Sequence, residues 1–205
     1  SFLPLINQMG PQVHATLERP GFYPAGGGRI KIEIQPTQQL QPIDLQTGGE
    51  IQQRRAIAWI ANLDQDIAVR ELKVIAHKLN WEEDWLSIEQ VNHANGPGNV
   101  VILEIQRDHV TEVFTGFGQL KRSAEAVADL AIRQCQHYLK SGVPVGKFLA
   151  DQLLLPMAMA GAGTFKTLPL SRHTQTHIHL IDQFLDVHIN VIEQTSQNMM
   201  IEIKS

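Results

Sequence analysis

The sequence predicts an α/β (α+β) chain: repeated β-α-β-α-β-β units with a smaller α/β domain inserted. Three observations carry this. Segments with strand-like alternation stand in pairs at both ends, "QVHATLE" (12–18) with "RIKIEIQ" (29–35) and "DVHINVIEQ" (186–194) with "MMIEIKS" (199–205). The stretches leading into the pairs match: "LINQMGPQVH" (5–14) resembles "LIDQFLDVH" (180–188), and "IEI" recurs at 32–34 and 201–203. A helix followed by a two-stranded hairpin therefore occurs twice, the mark of an internal repeat. Between the copies, residues 49–140 carry a different pattern.

The first residues, "SFLPLINQMG", read as the end of an amphipathic helix with Phe2, Leu5, Ile6 and Met9 apolar and Gly10 as its stop. "RPGFYPAGGG" (19–28) is rich in turn residues and links the first two strands as a long hairpin loop. A short strand is expected near "QPIDLQT" (41–47). Then come the strand "RRAIAWIANL" (54–63) and the helix "DQDIAVRELKVIAHKLN" (64–80), with Asp64 as N-cap. Strands follow in "WLSIEQVNHA" (85–94), "NVVILEIQ" (99–106) and "HVTEVFTGFG" (109–118), with "NGPGN" as a turn. "SAEAVADLAIRQCQHYLKSG" (123–142) is a helix capped by Ser123 and stopped by Gly142. Residues 49–140 thus predict a four-stranded sheet with helices. The rest reads as the helix "GKFLADQLLLPMAMAG" (146–161), the strand "GTFKTLP" (163–169), a helix from Ser171 to Leu185 and the last hairpin. Residues 1–48 and 141–205 would form one repeat-built domain, with 49–140 inserted after the first strand of its last unit.

Composition narrows the function. Of 205 residues, 43% are hydrophobic and 19% charged, as in a soluble globular protein. The lone Cys135 excludes an internal disulfide framework and a cysteine zinc site, and fits a reducing cytosol. It lies in a helical pattern, where an inert buried thiol is expected. No apolar run reaches the ~18 residues of a membrane span, and no signal peptide is visible. The absence of an initiator Met and the mid-helix opening suggest a piece of a longer chain. Net charge is −4, divided as 0 over 1–48, −3 over 49–140 and −1 over 141–205. None of these is the basic stripe of a protein that tracks a phosphate backbone. A nucleic-acid substrate would be held by a short end, or by basic surface elsewhere.

Chemistry concentrates in "LPLSRHTQTHIHLIDQFL" (168–185), which holds His173, His177 and His179. His173 and His177 are four apart and share a helix face, yet no third ligand or HExxH glutamate accompanies them, so no metal site is expected. If Ser171 caps the helix, His173 falls in its first turn, among free N–H groups at the positive dipole end. That setting favours a phosphate and keeps an imidazole neutral and nucleophilic. A polar residue at a solvated helix start fits the same pattern. Gly26, Gly27 and Gly28 could cradle a phosphate, or simply supply positive φ to a hairpin loop. In "FLADQ" (148–152), Phe148 could stack on a base, and Asp151 could accept from ribose hydroxyls or bind Mg²⁺. It is equally an ordinary helix start.

Three stretches together, "GFYPAGGGRI" (21–30), "FLADQLLLPMAMAGAGTF" (148–165) and "SRHTQTHI" (171–178), resemble in order and spacing the RNA 3′-terminal phosphate cyclases. The resemblance covers essentially the whole chain and corresponds to the C-terminal portion of those enzymes. It implies three β-α-β-α-β-β repeats with a smaller α/β domain in the last. It also implies a cytoplasmic enzyme without membrane contact that uses ATP and Mg²⁺ to convert an RNA 3′-phosphate end to a 2′,3′-cyclic phosphodiester. His173 would attack the α-phosphate of ATP, and AMP would pass to the RNA. Phe148, Leu149, Ala150, Asp151 and Gln152 would line the ATP pocket, with Phe148 stacking on adenine. The family's phosphate-binding glutamine and arginines would lie in an N-terminal part outside this chain, so residues 1–205 alone should bind ATP weakly and label poorly. Phe148 stands where Tyr is usual, His177 where Asn is frequent, and Pro20 where Arg or His is usual. Two alternatives are a non-catalytic relative in RNA processing or ribosome assembly, which would lack the nucleophile, and a small-molecule transferase on the same fold. The inserted segment carries none of the motifs, and is expected to be dispensable for the first step.

Overall fold

The computed structural model describes all of residues 1–205. Helix α1 (Phe2–Gln8) leads into the hairpin β1 (Gln12–Arg19) and β2 (Arg29–Gln35), which form a two-stranded sheet. The last unit is β3 (Asp44–Leu45), α4 (Lys147–Ala160), β8 (Ala162–Thr167), α5 (Arg172–Phe184), β9 (His188–Thr195) and β10 (Asn198–Lys204). Its sheet runs β3-β8-β10-β9, with β3 parallel to β8 and the other pairs antiparallel. Between β3 and α4 lie β4 (Ile51–Ala61), α2 (Asp66–Leu79), β5 (Leu86–Gln90), β6 (Gly98–Arg107), β7 (Thr111–Phe117) and α3 (Ala124–Ser141). They form a second four-stranded sheet, ordered β5-β4-β6-β7. The architecture is the expected α+β one, and α1-β1-β2 repeats the order of α5-β9-β10.

Local chemistry sets the helix ends. The Ser123 hydroxyl accepts from the Ala126 N–H at 3.2 Å and starts α3. Gly142 (φ 69°) and Gly161 (φ 74°) close α3 and α4 in the left-handed region, where a side chain would be strained. At α2, Asp64 accepts from the Asp66 N–H at 2.9 Å, but Gln65 stands at the cap with helical angles. Asp64 therefore caps from one position further out than expected. The strand expected over 85–94 is half as long, because the chain leaves the sheet for a turn after Gln90. No helix is long and apolar enough to cross a membrane.

Two cores form. Ile60, Leu103, Ile105 and Phe114 of the β4–β7 sheet bury against Leu72 and Ile75 of α2 and Ile132, Cys135 and Tyr138 of α3. Burial pushes the Cys135 thiol up to about 12, which makes it unreactive. Leu153, Leu154 and Met157 of α4 pack on Phe165, Ile201 and Ile203, with Leu5 and Met9 joining from the α1 end. The cores exchange residues: Leu168, after β8, lies in the first, and Val110, from the β6–β7 turn, lies in the second. Polar contacts reinforce this joint. Arg107 donates to the Gly49 carbonyl at 3.0 Å and to the Tyr138 hydroxyl at 3.2 Å, and that hydroxyl donates to the Pro144 carbonyl at 3.1 Å.

A buried carboxylate makes stability depend on pH. Glu71 of α2 is fully buried; one oxygen accepts from the Asn99 side chain and the other has no partner. Burial pushes its carboxyl up from 4.5 to about 7. Between those values the unfolded chain releases this proton while the folded chain keeps it, so stability falls as pH rises from 4.5 to 7 and then levels off. At 1.36 kcal/mol per pH unit of separation, the loss is on the order of 3 kcal/mol. Burial also pushes the Glu112 carboxyl up to about 7, so urea midpoints measured from pH 4.5 to 8 should show the decline from both groups, and Glu71→Gln should make it about half as steep. An identical pH profile in the variant would mean that Glu71 is charged in the fold.

Candidate active site at the starts of α4 and α5

Ser171 begins α5 in extended conformation, and its hydroxyl accepts from the Thr174 N–H at 3.1 Å. His173 is therefore in the first helical turn, where the N–H groups of Arg172 and His173 have no helical partner. Its side chain is 81% exposed. His177 sits one turn on along the same face and is largely covered. The Ser171 cap has a measurable value: Ser171→Ala should cost about 1 kcal/mol of stability by chemical denaturation. An unchanged midpoint would remove the cap from the account.

Helix α4 brings its first turns alongside. Asp151 reaches both histidines, Oδ2 lying 3.1 Å from His173 Nε2 and Oδ1 lying 3.3 Å from His177 Nδ1. One carboxylate thus holds two imidazoles from a neighbouring helix. His173 Nδ1 is the open ring nitrogen in this arrangement, and attack through Nε2 requires the contact with Asp151 to open first. His179 lies off this group, and its Nε2 is 3.0 Å from the Gln183 side-chain nitrogen. Phe148 is 62% exposed, with the Lys147 ammonium 5.8 Å from its ring centre. The Phe148 ring and the Lys147 cation offer a flat apolar face beside a positive charge.

Two expected pocket residues take a different place. Leu149 and Ala150 are each 2% exposed and pack into the core of the last unit. On a helix they point opposite to Phe148 and Asp151, so their side chains hold α4 down and do not face solvent. Gln152 is exposed. The glycine run follows the turn at 23–25, which the Phe22–Gly26 bridge closes, with Gly26 at φ 61° and Gly27 at φ 74°. It packs against the inserted segment, where a Cβ on Gly27 would run into Asn95.

No three His, Cys, Asp or Glu side chains are arranged to hold a metal ion. Both Asp151 oxygens are engaged by histidines, so the residues present do not fit a protein-held Mg²⁺. Sequence reasoning found His173, Asp151 and His177 separately but missed that Asp151 joins them across two helices. The four-residue histidine spacing was the available signal.

A capped helix start presenting a histidine, held by a carboxylate from the neighbouring helix, is the candidate site that this α/β chain builds. Comparison with known proteins places it further. A family model described as RNA 3′-terminal phosphate cyclase matches residues 1–191, and the chain belongs to that family. The RNA 3′-terminal phosphate cyclase of Ectopseudomonas mendocina is 41% identical over 204 residues, covering 100% of this chain and 60% of that protein. Those of Koribacter versatilis (40% over 194 residues) and Pseudomonas fluorescens (42% over 202) cover 95% and 98% of this chain and 55% and 59% of their own lengths. The chain thus spans little more than half the length of these curated relatives.

Proposed function

We propose that this chain is the histidine-bearing part of an ATP-dependent enzyme that converts an RNA 3′-phosphate end to a 2′,3′-cyclic phosphodiester. The observation that carries this is the His173–Asp151–His177 group at the capped start of α5, with the exposed Phe148 ring three residues before Asp151 on α4.

In the first step an imidazole nitrogen of His173 attacks the α-phosphorus of ATP. The N–P bond forms as the bond to pyrophosphate breaks. The free N–H groups of α5 face the charge that develops on the phosphate oxygens. Asp151 accepts from the ring and stabilises the positive charge the imidazole gains. Phe148 holds the adenine by stacking, and Lys147 sits near the nucleotide. In the second step an oxygen of the RNA 3′-phosphate displaces the histidine from phosphorus and takes AMP. In the third, the vicinal 2′-hydroxyl attacks the activated 3′-phosphorus, releasing AMP and its own proton and closing the ring. This last step needs little beyond positioning, because nucleophile and electrophile share one ribose. Mg²⁺ would arrive with the ATP phosphates.

The test uses the full-length protein. With ATP, an RNA ending in a 3′-phosphate should yield an end that resists phosphatase, with one AMP formed per end. An RNA ending in a 3′-hydroxyl should consume no ATP beyond the enzyme-bound equivalent. Ring closure without ATP would refute the proposal.

A further inference from the structure

We propose that Glu112, on β7 of the inserted segment, is a positioning residue for the nucleotide wall on α4. This rests on the assignment of α4's first turns as that wall.

The placement of Glu112 is unusual for its chemistry. On β7 the buried positions alternate as Glu112, Phe114 and Gly116, so the carboxylate occupies a site the pattern reserves for an apolar side chain. It is 4% exposed. A buried carboxylate is costly unless its oxygens are bonded. Its Oε1 accepts from the Gly146 N–H at 2.6 Å. Gly146 is the N-cap of α4, immediately before Lys147 and Phe148. A carboxyl oxygen therefore sits on the first free N–H of the helix, where the dipole favours negative charge, although burial pushes the Glu112 carboxyl up to about 7.

The fit is close on the other side as well. A Cβ on Gly146 would stand 2.8 Å from Glu112 Oε2 and 2.9 Å from its Cδ. The carboxyl group thus rests against the Gly146 α-carbon and requires a glycine there. Two residues earlier, Val110 is buried in the same core as Leu149 and Leu153 of α4. The β6–β7 turn and Glu112 together fix where α4 begins. Phe148 follows Gly146 by two residues, and Asp151 by five. A shift of the helix start would move the stacking ring and the carboxylate that holds His173, and small misplacements of such groups are costly. Glu112 acts only through Gly146, by the amide bond and the close packing at its α-carbon.

The test measures half-saturating ATP for self-adenylation of the full-length protein, alongside thermal midpoints. Glu112→Ala should raise half-saturating ATP by up to roughly tenfold, the value of one lost buried hydrogen bond. Glu112→Gln keeps an acceptor oxygen for Gly146 and should stay within about threefold of the parent. Gly146→Ala should raise half-saturating ATP too, and its effect should not add to that of Glu112→Ala, since both act on one contact. A purely structural role would lower the thermal midpoint and the active fraction but leave half-saturating ATP unchanged. A folded Glu112→Ala protein with unaltered ATP dependence, or additive effects of the two substitutions, overturns the proposal. If Glu112→Ala does not fold, Gly146→Ala decides alone: a folded variant with unaltered ATP dependence overturns it, and a raised requirement supports it. Phe148→Ala separates this inference from the one beneath it. Weakened ATP binding in Phe148→Ala without an effect of Glu112→Ala removes only the role of Glu112. Unaltered ATP binding in Phe148→Ala removes the wall and the role of Glu112 together.

Discussion

His173→Ala should reduce AMP labelling of the full-length protein to background, a loss on the order of 10³-fold or more, as when an enzyme loses its nucleophile. The site offers no replacement. His177 Nδ1 is bonded to Asp151, and His177 is largely covered. His179 lies beside Gln183, off the Asp151 group. His179→Ala should therefore label normally. His177→Ala should label more slowly, because Asp151 loses one of its two partners and with it part of its orientation. One activity should survive in His173→Ala. An RNA that already carries a 3′-adenylated phosphate should still be cyclised, since that step uses the RNA's own 2′-hydroxyl. Failure of this bypass, with RNA binding intact, would show that His173 also acts in ring closure.

Asp151→Asn should be the next most damaging change, with labelling at saturating ATP slowed on the order of 10²-fold. An amide can accept from His173 but carries no charge to stabilise the imidazolium. It also presents an N–H₂ group to one of the two histidines, which no longer suits both contacts. If Asp151 only bound the ribose, the substitution would raise half-saturating ATP and spare the saturated rate. If it orients His173, as the 3.1 Å contact indicates, the saturated rate falls. Adding His177→Ala to Asp151→Asn should then cost little more, because His177 acts through the same carboxylate. Multiplicative losses in the double variant would separate the two residues.

How much of this was legible in the sequence follows from the range of each interaction. Caps and stops are local. Ser123, Ser171 and Gly142 all lie within a turn of what they terminate, and they stand where the pattern put them. Alternation is local too, and it located both hairpins. The overlong strand at 85–94 shows the limit: the alternation of Leu86 and Ile88 stops at Gln90, Val91 falls on the other face, and the chain turns away there. The functional residues split in the same manner. His173 and Asp151 could be named from short motifs and a family resemblance, but the bond between them crosses from α5 to α4.

Glu112 was missed altogether. Its partner lies 34 residues away on another element, and a glutamate in a strand reads by default as solvent-facing. The available signal was its period: two residues before Phe114 and four before Gly116, on the inward face of β7. The same contact alters the expectation that the inserted segment is dispensable. Excising it removes Glu112 and Val110, and exposes the start of α4. We now expect such a deletion to weaken ATP binding even where the last unit still folds.

The central claim is that one histidine at the start of α5 carries AMP. The most direct measurement is to incubate the full-length protein with ATP and Mg²⁺, digest it at alkaline pH and locate the adduct by fragment mass spectrometry. A phosphoramidate survives alkali and is released by mild acid, whereas an adenylate on a carboxylate does not survive alkali. AMP is expected on the peptide containing Ser171 to Ile178, assigned to His173, stable to alkali and lost in acid. An adduct on His177, on a carboxylate or on a lysine would contradict it.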